Sequence, residues 1–103
     1  PILPKYKILG IVTEIILSKE LFQKNVDLKP FLENVFGVSY KDYVMRSRTM
    51  ILARTNRLIN ESPEEKQSEY RKKLNIYIVE MIEKSSNSQN NKTEKNLFSG
   101  WVD

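Results

Sequence analysis

The chain has 103 residues, 40% hydrophobic and 29% charged, with 17 Lys and Arg against 13 Asp and Glu for a formal net charge of +4. That length supports one domain at most, with the composition of an ordinary soluble globule and no apolar run approaching the ~20 residues of a membrane span. There is no cysteine and no histidine, so disulfides, thiolate zinc sites, cysteine nucleophiles and the commonest general base are excluded.

The first element is a helix over roughly 5–18. Ile8, Leu9, Val12, Ile15 and Ile16 recur at helical spacing, and Ile11 and Leu17 widen the apolar stripe. Gly10 inside it lowers helix propensity and suggests a close helix–helix approach. Residues 19–26 read as a connection with Leu21 and Phe22 tucked onto the core. A chain that opens on Pro1 rather than Met is expected to be a processed or trimmed piece.

Residues 27–60 form the centre. Asp27 is a suitable N-cap for a helix over 28–36, where Pro30 is tolerable only in the first turn. Phe31, Leu32, Val35 and Phe36 supply its apolar face, and Gly37 stands where a left-handed C-terminal residue is wanted. Ser39 then caps a long helix over 40–60. Two helices joined by so short a turn have the outline of a helix-turn-helix.

On a 100° wheel, Tyr40, Tyr43, Val44, Ser47, Ile51, Arg54 and Leu58 share one face of the long helix. Met45, Leu52 and Ile59 form a second seam beside it. The segment carries Lys41, Arg46, Arg48, Arg54 and Arg57 against Asp42 alone, so five minus one gives +4, equal to the net charge of the whole chain. Arginine forks suit phosphates and guanine edges, and hydroxyls such as those of Tyr40, Ser47 and Thr49 are common phosphate partners. Arg54, on the apolar stripe, reads instead as a buried ion pair or carbonyl cap. The plain alternative for the whole helix is a solvated face pairing with acidic neighbours such as Glu33, Glu61 and Glu65.

Ser62-Pro63-Glu64-Glu65 is the clearest local signal. Ser62 reads as an N-cap, Pro63 as the first helical position, and Glu65 as the partner that completes a capping box. The helix that follows carries Tyr70, Leu74, Tyr77, Ile78, Met81 and Ile82 on one stripe and ends near Ser85. Arg71, Lys72 and Lys73 fan around it and read as solvated. Residues 86–103 are a polar linker followed by Leu97, Phe98 and Trp101. That terminal cluster is expected to dock on the Met45, Leu52 and Ile59 seam, within one chain or across a homodimer.

Residues 9–50 resemble the C-terminal part of the RteC family, regulators of excision in conjugative transposons of gut Bacteroidetes. The likeness rests on the apolar helix ending at Leu17, then Asp27-Leu28-Lys29, Phe36, Val38 and Asp42-Tyr43. A basic stretch from Arg46 to Arg57 and an amphipathic helix from Pro63 to Lys84 follow in the same order. Gly37 departs from the asparagine of that pattern, and the tail lies outside it. The resemblance implies a helical, cytoplasmic DNA-binding regulator of a mobile element.

The expectation is therefore an all-α domain over 1–85, four helices with the third central, and a C-terminal tail over 86–103. The function read from it is a DNA-binding, transcription-regulating module that contacts double-stranded DNA through Ser39, Tyr40, Lys41, Arg46, Arg48, Thr49 and Arg57. The alternative is a protein–protein adaptor whose basic helix docks an acidic partner. No catalytic constellation, metal site or cofactor is expected.

Overall fold

The computed structural model describes residues 4–86. Among these residues it is all-α: five helices and no strand. No helix among them is long and apolar enough to cross a membrane. The terminal Leu97, Phe98 and Trp101 lie outside the described residues.

A 3-10 turn over Lys5–Lys7 leads into α1, Ile8–Leu17. Ile8, Ile11, Val12, Ile15 and Ile16 are buried along one side, as the helical spacing requires. Gly10 faces solvent, and a Cβ placed on it would meet nothing within 4 Å. The close approach expected of it does not occur. Gly10→Ala should therefore raise stability by about 0.5–1 kcal/mol in urea denaturation, because alanine lowers the entropy lost on folding and nothing obstructs it. An unchanged or lower midpoint would contradict this placement.

A second 3-10 turn, Asn25–Leu28, precedes α2, Lys29–Phe36. Asp27 does not cap α2. Its Oδ2 accepts the backbone N–H of Lys24 at 2.9 Å and closes the 3-10 turn. Pro30 sits in the first turn of α2, where its missing N–H has no intrahelical partner to lose. At the other end Gly37 takes φ 67° and ψ 27°, and its N–H donates to the Glu33 carbonyl at 3.0 Å. This left-handed cap is the conformation that glycine adopts without strain.

The long basic helix expected over 40–60 is two helices: α3, Asp42–Met45, and α4, Arg48–Glu61. The last helix, α5, spans Glu64–Ser86. α4 packs most extensively on α1, and α2 on α5. Phe31 of α2 is the centre of an aromatic cluster, with ring centroids 5.9 Å from Phe22, 5.9 Å from Phe36 and 4.9 Å from Tyr77. Leu74 and Ile78 of α5 are fully buried in the same core.

Three further expectations are corrected here. Ser62 does not cap α5: it ends α4, and its Oγ donates to the Leu58 carbonyl. The α4–α5 turn is held instead by Gln67, whose Nε2 donates to the carbonyls of Ile59 at 2.9 Å and Ser62 at 3.1 Å. Arg71 is not part of a solvated face. It lies beside the buried stripe of α5 with only 14% of its side chain exposed, 4.0 Å from Glu64. Finally, Met45 and Ile59 are buried and Leu52 packs against the same core. The seam offered as a dock for the tail is already filled by the domain's own side chains.

Candidate nucleic-acid interface

The basic segment is shaped by the interruption between α3 and α4. Ser47 takes extended dihedrals (φ −125°, ψ 118°), and its Oγ accepts the N–H of Met50 at 3.2 Å. Serine competes for backbone donors in this way, and a free first-turn N–H gains a partner at the start of α4. On the other side of the break, Asn25 Nδ2 donates to the Met45 carbonyl at 2.9 Å. The last carbonyl of α3 is thus held by a side chain rather than by a continuing helix.

Restarting the helix at Arg48 turns that residue inward. Its Nε donates to Asn25 Oδ1 at 2.9 Å, and one terminal nitrogen donates to the Ile16 carbonyl at 2.8 Å. The other donates to the Phe22 carbonyl at 2.8 Å. The planar fork therefore collects the end of α1, the following loop and the 3-10 turn in one side chain. Arg48, expected to contact DNA, is a structural carbonyl cap.

Arg54, expected to be the buried cap, is exposed on the outer face of α4. Its guanidinium lies 5.9 Å from the ring centroid of Tyr43 and donates to the Tyr43 hydroxyl at 3.4 Å. Tyr43 itself is 51% exposed. The two arginines have exchanged the roles that the helical wheel assigned to them.

Tyr40 also turns inward. Its hydroxyl and Thr55 Oγ1 are 2.8 Å apart, and Thr55 Oγ1 donates to the Ile51 carbonyl at 2.8 Å. Thr55 is fully buried, so this link satisfies a polar group inside the core. Burial raises the Tyr40 phenol above its ordinary pKa. Tyr40 is a packing residue with a satisfied hydroxyl, and its expected phosphate contact is withdrawn.

Ser39 is exposed, but no helix begins at it; the next one starts after Lys41. Lys41, Arg46, Thr49 and Arg57 are exposed as expected. Thr49 Oγ1 lies 3.0 Å from Ser47 Oγ. Arg57 pairs with Glu61 at 3.3 Å, with both side chains about 70% exposed. A pair this open adds little stability and leaves the guanidinium accessible.

The outer surface of α3 and α4 therefore presents Lys41, Arg46, Arg54 and Arg57, with Asp42 and Glu61 as its acidic members. Four minus two gives +2 over the exposed charges of residues 41–61. Met50, 39% exposed, and Tyr43 add apolar surface among these cations. Centring the wheel on Ile51, Thr55 and Ile59 places Arg48 inside and Arg54 at the edge, and that register was available from the Met45, Leu52 and Ile59 seam. No protein-family model matches the chain, and comparisons with curated proteins and with solved structures found no match.

Proposed function

We propose that the outer face of α3 and α4 binds double-stranded DNA through its phosphates, as part of a regulatory module. The observation that carries this reading is the set of four exposed cations, Lys41, Arg46, Arg54 and Arg57, on one continuous segment. None of the four is engaged with the core, and the single ion pair among them is open to solvent. Phosphate contacts of this kind position a protein on a duplex and carry no sequence information by themselves. The resemblance of residues 9–50 to RteC regulators points to the same partner.

The test is a salt titration of binding to a labelled duplex, read by fluorescence anisotropy. Affinity should fall log-linearly with salt through counterion release. Arg46→Gln combined with Arg57→Gln should weaken binding to all sequences alike and flatten the salt slope by about 2. Arg48→Lys, if folded, should leave the slope unchanged, because that side chain is turned into the protein. A double variant that binds as the parent does would remove this face from consideration.

A protein partner is the second reading, favoured by the exposed Tyr43 and Met50 between the cations. Aromatic residues and arginine are the usual anchors of protein interfaces. In that case Tyr43→Ala would abolish binding, and the salt slope would be shallow.

A further inference from the structure

Beside the exposed arginines of α4, the loop after α2, the last turns of α4 and the α4–α5 turn border a shallow cavity of about 380 Å³ that is broadly open to solvent. Val38, Leu58 and Pro63 supply apolar wall, and Arg54, Arg57 and Glu61 stand among its lining residues. The volume is at the small end of the ~300–1,000 Å³ typical of small-molecule sites. Such sites combine apolar walls with a few polar groups that fix orientation.

The polar groups available here are few and of one kind. Two hydroxyls line the cavity, those of Tyr40 and Ser62. The first is committed to Thr55 and the second to the Leu58 carbonyl. What remains is charge: two guanidiniums and one carboxylate. Arg57 contacts Glu61 through Nε, and Arg54 contacts the Tyr43 hydroxyl through one terminal nitrogen. Each fork keeps other N–H donors, and a fork of parallel donors matches a carboxylate.

From this combination we infer that the cavity is a binding site for a small apolar carboxylate, aromatic or branched, taken from solution. Its hydrocarbon part lies against Val38, Leu58 and Pro63, and its carboxylate meets Arg54 and Arg57. Glu61 tempers the site, since it holds one of the two cations. The rim charge is two minus one, or +1, and loss of the Glu61 charge raises it to +2.

The inference does not depend on DNA binding, and its test contains no nucleic acid. The probes are 3-phenylpropionate, its uncharged isostere 3-phenylpropionamide, and inorganic phosphate. Each is titrated into the full chain while methyl and arginine side-chain resonances are followed by NMR. The carboxylate should shift the methyls of Val38 and Leu58 together with the side chains of Arg54 and Arg57, in a saturable way. The amide should bind at least about tenfold more weakly, because it cannot use charge-assisted bonds. Arg54→Gln with Arg57→Gln should weaken the carboxylate by a similar factor, and Glu61→Gln should tighten it. Equal binding of acid and amide would overturn the role of the arginines. Phosphate binding as tightly as 3-phenylpropionate, without methyl shifts, would reduce the site to simple anion attraction and overturn the inference. So would the absence of any saturable shift. The three substituted residues line the cavity at or near the surface, so the variants keep the fold on which the comparison rests.

Discussion

Replacing Phe31 with alanine should lower the unfolding free energy by about 3–5 kcal/mol. Phe31 is fully buried, and its ring meets Phe22, Phe36 and Tyr77 at centroid distances of 4.9–5.9 Å. Alanine loses both the transfer energy of the ring and the edge contacts with its neighbours. The partners come from three places in the chain, so no single shift can refill the space. A domain of this size has only about 5–15 kcal/mol of net stability, which makes the expected loss a large share of the whole. Urea denaturation measures it. A loss below about 1 kcal/mol would mean that the cluster is not the centre of the core.

The same variant has a second readout. Burial pushes the Tyr77 phenol up to about 12. The unfolded chain ionises its tyrosines near about 10, so the folded protein holds Tyr77 neutral where the unfolded chain does not. The contribution of this burial is complete below about 10 and is lost as pH rises through about 12. In Phe31→Ala, water reaching Tyr77 should bring its titration back toward about 10, read by ultraviolet absorbance in alkali. An unmoved titration would place the burial of Tyr77 elsewhere.

Local patterns reached the helices that rest on local causes. The repeat from Ile8 to Ile16 is one apolar face, and the structure buries that face in α1. Phe36 followed by Gly37 is a helix end written in two residues, and Gly37 takes the left-handed conformation there. The stripe from Tyr70 to Ile82 likewise belongs to α5, with Tyr70, Leu74 and Ile78 buried.

Where the reading failed, the cause was distant in sequence. Ser39 and Ser47 are equally good caps by residue type, and only tertiary contacts decide that Ser47 starts a helix. Asn25 holds the Met45 carbonyl across 20 residues, and Arg48 reaches Ile16 across 32. No periodicity within α4 encodes those partners. The wheel drawn through 40–60 as one helix put Tyr40 and Ile51 on the core side, where they are, but also Arg54, whereas α4 faces inward with Ile51, Thr55 and Ile59. The candidate interface inherits the error directly. Arg48 and Tyr40 leave it, Arg54 joins it, and Lys41, Arg46, Thr49 and Arg57 keep their exposed positions. Exposure of a charged helix face was readable from composition, and the inward side of Arg48 from the Met45, Leu52 and Ile59 seam; the distant carbonyls that Arg48 takes were not.

Arg48 is where that distinction has the greatest consequence. Arg48→Ala should cost about 2–4 kcal/mol, although it removes a single polar side chain. The guanidinium makes three short bonds of 2.8–2.9 Å, to Asn25 Oδ1 and the carbonyls of Ile16 and Phe22. A fourth, longer contact reaches the Ser18 carbonyl at 3.4 Å. Bonds to a charged donor are the stronger kind, and acceptors left unpaired in a partly buried site lose more than the bond itself. Loss of Arg48 also releases Asn25, whose other end holds α3 through Met45. Lysine places one charge where the fork places donors in a plane, so Arg48→Lys should recover less than half of the loss. Arg46 is the internal control, two residues away and exposed. Arg46→Ala should change stability by less than about 0.5 kcal/mol. Chemical denaturation of the three variants side by side gives the answer. If Arg48→Ala and Arg46→Ala prove equally mild, Arg48 is a surface residue after all and returns to the cationic face.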